Sequence, residues 1–406
     1  MKKGSGFKEL AKESQYLTKE APLRVRKKDQ KLCVGVPKER SLQENRVSLT
    51  PQATSVLVSN GIEVKVETQA GATAHYSDQD YADAGAQIVY SAKEAFESDI
   101  VIKVEPPSLE EIGYLPTKAG LISAVNPNDK TPEYIKQLNA KKITSIGYEY
   151  LEDKAGGMPA VRALSEIAGS CVMLIAAEYL SSSNDGKGVI MGGITGVPPT
   201  KAVILGAGTV AEYAARAALG LGVDIKIFDN HLYKLRRIKQ ALGQQVYTST
   251  FDTTTLSNAL ASADVVIGAM RPEKGRSICI VTDEMVANMK KGSVIIDVSI
   301  DQGGCIETAE LTTHDNPTYV KHGVIHYCVP NIASRVARTA SMALSNIFSP
   351  ILVQIYESGG VDEMIYQYKW FMKGIYTYKG TLTSKHLARR LQMDFKEIEL
   401  LLAARL

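Results

Sequence analysis

The run KAVILGAGTVAEYAARAALGLG, residues 201–222, limits the fold more than any other part of this 406-residue chain. Its opening is apolar and reads as a buried strand. Three residues of turn follow, and then alanines and leucines recur at helical spacing until glycines stop them. A strand feeding a helix through a glycine turn is half of a βαβ unit, which joins parallel strands by a right-handed crossover. The turn carries Gly206-x-Gly208-x-x-Ala211. Gly206 ends the strand and bends sharply, Gly208 lets a pyrophosphate approach the backbone, and Ala211 lets helix and strand pack closely. The helix start at Thr209 faces the phosphates. The next strand, VDIKIFD, ends in Asp229, where a carboxylate accepts the ribose hydroxyls of NAD and repels a 2′-phosphate. Lys234, Arg236 and Arg237 on the following helix leave room for NADP.

The alternation continues on both sides. QQVYTS, ADVVIGAM, GSVIIDVSI and GVIHYCV bring the series to six strands, a doubly wound nucleotide-binding domain. Upstream, KLCVGVPKE, GIEVKVET, SDIVIKVEPP, GLISAVNP and ITSIGYEYL are short β-rich runs bounded by Gly, Pro, Asn or Asp. The helical TPQATSVLVSNG stops at Gly61. ALSEIAGSCVMLIAAEYLSSS and ASRVARTASMALSNIFSPILVQIYESGG are long enough to connect domains. The residues from GTLTSKHLARRLQM onward read as helical and return the chain to the first domain. The expected fold class is α/β: two Rossmann-like, doubly wound parallel-sheet domains with a cleft between them. The expected division is an N-terminal extension (1–30), a discontinuous substrate domain (31–160 plus 338–406) and an NAD-binding domain with its connecting helices (161–337).

The net charge of +3 and the lack of a Lys/Arg stripe give no reason to expect nucleic acid. No run reaches the roughly 18–20 apolar residues of a membrane helix. The basic N-terminus lacks the apolar stretch of a signal peptide and reads as a solvated extension with a short helix, able to dock on a neighbouring subunit. The five cysteines form no CxxC pair, which points to free thiols in the cytoplasm and no metal site. In VIIDVSIDQGGC, Asp297 is expected to cap local backbone. Asp301 is expected in the cleft, with Gly303 and Gly304 letting the loop pass close to the cofactor.

The blocks VGVPKE…ENRVSLTP, DIVIKVEPP, ALSEIAG, GVIMGGITGVPPTKAVILGAG, DVSIDQGGCIET and HYCVPNIASRVARTAS follow in order. In this they resemble alanine dehydrogenases and the NAD-binding subunit of nicotinamide nucleotide transhydrogenases. The resemblance implies NAD-dependent, reversible deamination of L-alanine to pyruvate and ammonia by a homo-oligomer, usually a hexamer. It also implies roles for single residues. Arg46 would bind the substrate carboxylate, for which a guanidinium fork is suited. Lys103 would contact the substrate's carboxylate and carbonyl oxygens and stabilise developing charge. Asp301 would lie beside the nicotinamide, Asn331 near nicotinamide and substrate, and Ser165 near the cofactor phosphates.

The departures are as informative. The family's acid/base histidine aligns with Asn126, which can hydrogen-bond a substrate but cannot take its proton near neutral pH. An aromatic wall aligns with Ala124, and the family's ANMP reads PNIA at Pro330–Ala333. No histidine lies between His75 and His231; His75 is a possible substitute, while His326 reads as a strand residue and His386 as part of the tail. Asp301 then becomes the residue on which catalysis depends. Other readings stay open: a relative acting on another amino acid or an imine, a transhydrogenase-type NAD module, or a non-catalytic NAD sensor. MPAVRALSEIAG lacks the Arg-Ala-Gln-x-x-Asp loop of the transhydrogenase subunits.

Overall fold

A computed structural model describes residues 31–153, 155–271 and 278–403, in which the short apolar runs form two sheets. The strands of the first half are β1 (Cys33–Val36), β2 (Glu63–Glu67), β3 (Gln87–Val89), β4 (Ile100–Ile102), β5 (Gly120–Ser123) and β6 (Thr144–Gly147). They pair in parallel, and a hairpin from the far end of the chain, β14 (Ile375–Tyr378) and β15 (Thr381–Leu382), completes the sheet. The order is β15-β14-β6-β5-β4-β1-β2-β3, and β14 runs antiparallel to β6, with Ile375 opposite Ile146. The returning segment is therefore not helical from its start. Thr381 and Leu382 pair with β14 after a turn at Gly380 (φ 91°), and the helix begins only at Lys385, capped by Ser384. Tertiary pairing overrides the local pattern there.

The second sheet holds β7 (Lys201–Leu205), β8 (Asp224–Phe228), β9 (Tyr247–Ser249), β10 (Val265–Gly268), β11 (Val294–Asp297), β12 (Thr318–Lys321) and β13 (Val324–Tyr327). Its order is β12-β13-β11-β10-β7-β8-β9. The six expected strands are parallel, and β12 adds an antiparallel edge, with Thr318 opposite Tyr327. Its signal lay in the two-residue His322-Gly323 turn, where both residues take positive φ (55° and 75°), as a tight hairpin requires.

The helices Pro159–Leu180 and Ala337–Ser358 connect the two sheets in sequence and belong to the cores. Val172, Met173 and Ala176 pack with Ala211, Ala214 and Ala218 of the Thr209–Gly220 helix. A side chain at Gly169 would press on the Val210 carbonyl and Tyr213, so the glycine of ALSEIAG is a packing residue. Leu344, Phe348 and Leu352 of the second helix pack with Val34, Val36, Ile100 and Ile102 of the first sheet. The expectation about membrane helices needs correcting. Pro159–Leu180 and Ile332–Ser358 are long and apolar enough to cross a membrane by length and composition, but their apolar residues fill the two cores. The helix expected within residues 1–30 lies outside the described residues.

Candidate active site

The dinucleotide turn has the backbone its sequence asked for. Gly206 sits at φ 105°, and a Cβ there would come 2.5 Å from the Ala269 carbonyl oxygen. At Gly208, which caps the Thr209–Gly220 helix, a Cβ would meet nothing within 4 Å, so the space before the helix N-terminus is open. Thr209 is half-buried in the first turn, and Ala211 is fully buried against the sheet. Asp229, at the end of β8, accepts the N–H groups of Ala207 and His231, both at 2.8 Å, and lies 2.9 Å from His231 Nδ1. These bonds fix the carboxylate and leave each oxygen further capacity to accept. Arg237 is committed to the Ala207 carbonyl (3.0 Å) and to Glu212 (3.5 Å), and Lys234 lies 5.9 Å from the Tyr233 ring centre. Ser165 is half-buried on the Pro159–Leu180 helix, one turn before Gly169. An open helix N-terminus beside a fixed carboxylate fits a dinucleotide.

A second cluster forms around Arg46. Its loop is pinned by serines carried by the chain after β13. Ser334 Oγ accepts the Asn45 N–H and donates to the Gln43 carbonyl; Ser341 Oγ accepts the Val47 N–H; Ser345 Oγ accepts the Thr50 N–H. Ser341 and Ser345 stand one helical turn apart, so consecutive turns of one helix satisfy the backbone of a buried loop. Arg46, so placed, donates to Glu44 in a fork, Nε at 2.7 Å and Nη2 at 2.5 Å, and Nη2 lies 3.4 Å from Glu105. Glu44 also accepts from Asn331 Nδ2 at 2.8 Å, and Glu105 from Asn126 Nδ2 at 2.6 Å. Both asparagines hold left-handed backbone, φ 44° at Asn126 and 58° at Asn331, a strained conformation that short polar side chains tolerate best. Arg46 and Glu44 are buried, Glu105 and Asn126 are partly open, and Asn331 is exposed. Burial pulls the Arg46 guanidinium down, but Glu44 holds its pKa above the ordinary value. Burial pushes the Glu105 carboxyl up against the opposing pull of Arg46.

Arg46, Asn126 and Asn331 thus meet through two glutamates the sequence reading had not singled out. Lys103 does not join them. It is buried, with its ammonium 3.4 Å from Glu39 and 3.2 Å from Glu111 and 5.9 Å from the Phe96 ring centre. Lys103 is shared between two buried carboxylates, Glu111 having Arg40 as well at 3.8 Å, and desolvation raises Glu39 to about 7 although Lys103 opposes it. Ala124 lies in the first sheet's core and Ile332 in the second's, and Ala333 is buried. His75 is exposed, and its carbonyl accepts from Arg338. His314, not considered from sequence, donates its backbone N–H to Gln43 at 2.6 Å, beside Glu44. Burial lowers its imidazole, while the Asn331 backbone opposes.

On the second sheet, Asp297 accepts the Ser299 N–H (2.9 Å), the Ser299 hydroxyl (2.6 Å) and the Cys305 N–H (2.8 Å). It closes a loop turned by Gly303 (φ 101°) and Gly304 (φ 68°). Asp301 projects from that loop. Solvent reaches it, yet nearby protein desolvates it enough to raise its carboxyl, while local N–H groups and the Arg271 charge oppose. The same Arg271 charge acts on Tyr150, which follows β6 of the first sheet. Among the described residues, no hydrogen bond or ion pair joins Asp301 to Arg46 or Glu105.

Comparison with known proteins gives consistent results along the chain. Residues 35–168 match the family described as "Alanine dehydrogenase/PNT, N-terminal domain", and residues 172–385 match its C-terminal domain. "Alanine dehydrogenase 2" of Staphylococcus aureus (strain USA300) is 37% identical over 368 residues, covering 90% of this chain and 98% of that protein. A solved L-alanine dehydrogenase superposes with a TM-score of 0.83 at 36% identity, covering 88% of this chain and 98% of the other. A transhydrogenase from Sinorhizobium meliloti shares the fold, with a TM-score of 0.75 at 24% identity over 87% of this chain and 99% of its own. With both domain matches and this extent of identity, the chain belongs to the alanine dehydrogenase/PNT family.

Proposed function

We propose that this protein is an NAD-dependent amino-acid dehydrogenase that deaminates L-alanine, reversibly, to pyruvate and ammonia. The observation that carries this reading is the Arg46 cluster in a chain that also holds an open dinucleotide turn. Residues 31–160 with 338–406 would bind substrate and 161–337 the dinucleotide, a division that the hairpin β14–β15 beside β6 favours. NAD, held by Gly206, Gly208, Thr209, Ala211 and Asp229, with Ser165 and Asn331 near it, supplies the hydride acceptor. Arg46, whose Nε and Nη2 are held by Glu44, takes the substrate carboxylate with the guanidinium N–H groups that remain. Asn126 and Asn331 orient the glutamates on either side and reach the substrate from the open face. Asp301, with its raised carboxyl, accepts the proton of the water that attacks the imine. Lys103 serves as the buried partner of Glu39 and Glu111 rather than as a substrate ligand.

A second reading has one observation behind it. Glu105 adds a carboxylate to the pocket, and Asn126 makes it less basic than a histidine would, which favours a relative acting on another amino acid or an imine. Oxidation of NADH with ammonia and a panel of 2-oxo acids separates the two. Pyruvate as the best acceptor supports the first reading, a bulkier acid supports the second, and no turnover with any acid refutes both. On the family resemblance we also propose a cytoplasmic homo-oligomer, a hexamer, to be tested by analytical ultracentrifugation.

A further inference from the structure

Glu44 and Glu105 flank the same guanidinium with unlike commitments. Glu44 receives the Arg46 fork, the Arg46 backbone N–H at 2.9 Å and the Asn331 amide, so both its oxygens are taken. Glu105 has one short bond, from Asn126, and a 3.4 Å contact with Arg46. Its side chain is 19% exposed while that of Arg46 is 4% exposed, so the under-used carboxylate is the one facing the opening. Charge is also unbalanced, with one guanidinium between two carboxylates. An α-amino acid zwitterion leaves the net charge unchanged but brings a cation to the carboxylate that Arg46 serves least. With its carboxylate on Arg46, its ammonium, one carbon away, falls beside Glu105.

We propose that Glu105 is a catalytic residue of this site: it receives the α-ammonium of an amino acid whose carboxylate lies on Arg46, and it takes a proton from that nitrogen. The inference rests on the amino-acid dehydrogenase reading above. One N–H bond breaks, and its proton passes to a Glu105 oxygen. The nitrogen lone pair then forms the C=N bond as the α-hydrogen leaves as hydride to the oxidised nicotinamide dinucleotide. Water adds to the imine carbon; one of its protons passes to Asp301 and the other to the nitrogen, an oxygen lone pair forms the C=O bond as ammonia departs with the C–N electron pair, and Glu105 returns its proton to solvent on the Asn126 side. The reverse reaction needs Glu105 protonated at the start.

Several groups bear on its titration. Arg46 and Lys130 favour the carboxylate, as does the Asn126 amide, while Glu44 opposes it. Glu39, after β1, and Glu149, after β6, add negative charge, since each is itself raised by Glu105. Burial dominates and sets the net direction upward. Lys130, lowered to about 8 by burial, is the rival proton acceptor, and it lies over the Tyr134 ring at 4.4 Å.

The test is the pH profile of kcat/KM for deamination by the full chain, measured for wild type, Glu105→Gln, Glu105→Asp and Lys130→Met. It is paired with calorimetry of pyruvate binding to the NADH-loaded protein in two buffers of different ionisation enthalpy, which counts protons taken up. Glu105→Gln is expected to lose roughly 10²–10⁴-fold in kcat/KM, the range for removing a general acid–base group, and to lose the acid limb while NADH still binds. Glu105→Asp and Lys130→Met keep the limb. Wild type takes up about one proton on binding pyruvate, and Glu105→Gln takes up none. Undiminished kcat/KM or an unchanged acid limb in Glu105→Gln overturns the proposal, and so does loss of the limb in Lys130→Met alone. If Glu105→Gln fails to fold, absence of proton uptake by wild type overturns it. A wild type that turns over no amino acid refutes the dehydrogenase reading itself, a result distinct from any of these.

Discussion

Asn331 donates to Glu44 at 2.8 Å across 287 residues of sequence, and Glu44 in turn holds Arg46 at Nε and Nη2. The residue that follows the second sheet's β13 therefore sets the angle of a guanidinium carried by the first-sheet side. Removing the amide leaves Glu44 one donor short and held through Arg46 alone. Asn331→Ala is expected to lower kcat/KM for the amino acid by about tenfold to a hundredfold, equivalent to about 1–3 kcal/mol for a lost bond to a charged group. Dinucleotide affinity should change far less. Steady-state kinetics with a parallel NADH titration checks this, and an unaltered kcat/KM would show that Glu44 does not need the bridge.

The serine contacts make a separate prediction. Ser341 Oγ is the partner of the buried Val47 N–H. In Ser341→Ala that donor has no acceptor, at a cost of about 1–3 kcal/mol. Thermal unfolding should shift down accordingly, and KM for the amino acid should rise because Arg46 sits next to Val47. A variant with wild-type Tm would refute the role given to this serine.

How far this site could be read from the sequence depends on how local each part is. Gly206, Gly208, Ala211 and Asp229 lie within 24 consecutive residues, and one strand–turn–helix–strand unit fixes them all, so pattern alone places them. The fold class follows from the same alternation. Lys103 and Glu105 are different. Both follow β4, two positions apart, and nothing local tells which of them will face Arg46. The answer comes from Glu39 and Glu111, which take the lysine, and from Asn126, which takes the glutamate. His314 meets the Gln43–Glu44 loop across a sequence separation of 271 residues, so only the tertiary fold brings them together. β15 likewise becomes a strand because β14 is there to pair with it.

Asp301 is an exposed residue whose carboxyl pKa is also raised, chiefly by desolvation. Asp301→Asn keeps the side-chain shape, and Asp297 still accepts the Ser299 and Cys305 N–H groups that close the loop. Turnover should be abolished while NAD still binds, as read by quenching or calorimetry. Undiminished turnover would remove Asp301 from the mechanism.

Cofactor choice is expected to rest on Asp229. Its carboxylate is fixed by the Ala207 and His231 N–H groups where a 2′-phosphate would be repelled, and Arg237 is already committed to Ala207 and Glu212. Asp229→Ser removes the repulsion. The ratio of kcat/KM with NADP to that with NAD should rise by about tenfold or more, a change of about 1.4 kcal/mol. A ratio that stays constant would place the selectivity elsewhere.

The Lys103 cluster makes a prediction about stability and pH. Glu39 titrates near 4.5 when unfolded, and its folded pKa is raised to about 7, chiefly by desolvation. The folded state therefore binds more protons than the unfolded state between those values. This contribution is fully present below about pH 4.5 and is lost as pH rises through about 7. At about 1.4 kcal/mol per unit the loss reaches up to about 3 kcal/mol. Glu39→Gln keeps the shape and a hydrogen-bonding side chain beside Val104, and it leaves Lys103 with Glu111. Unfolding free energies from denaturant titrations at pH 5 and pH 8 should fall less between the two in Glu39→Gln than in wild type. An equal fall in both proteins would mean that Glu39 is ionised throughout and that Lys103, at 3.4 Å, fully compensates its burial.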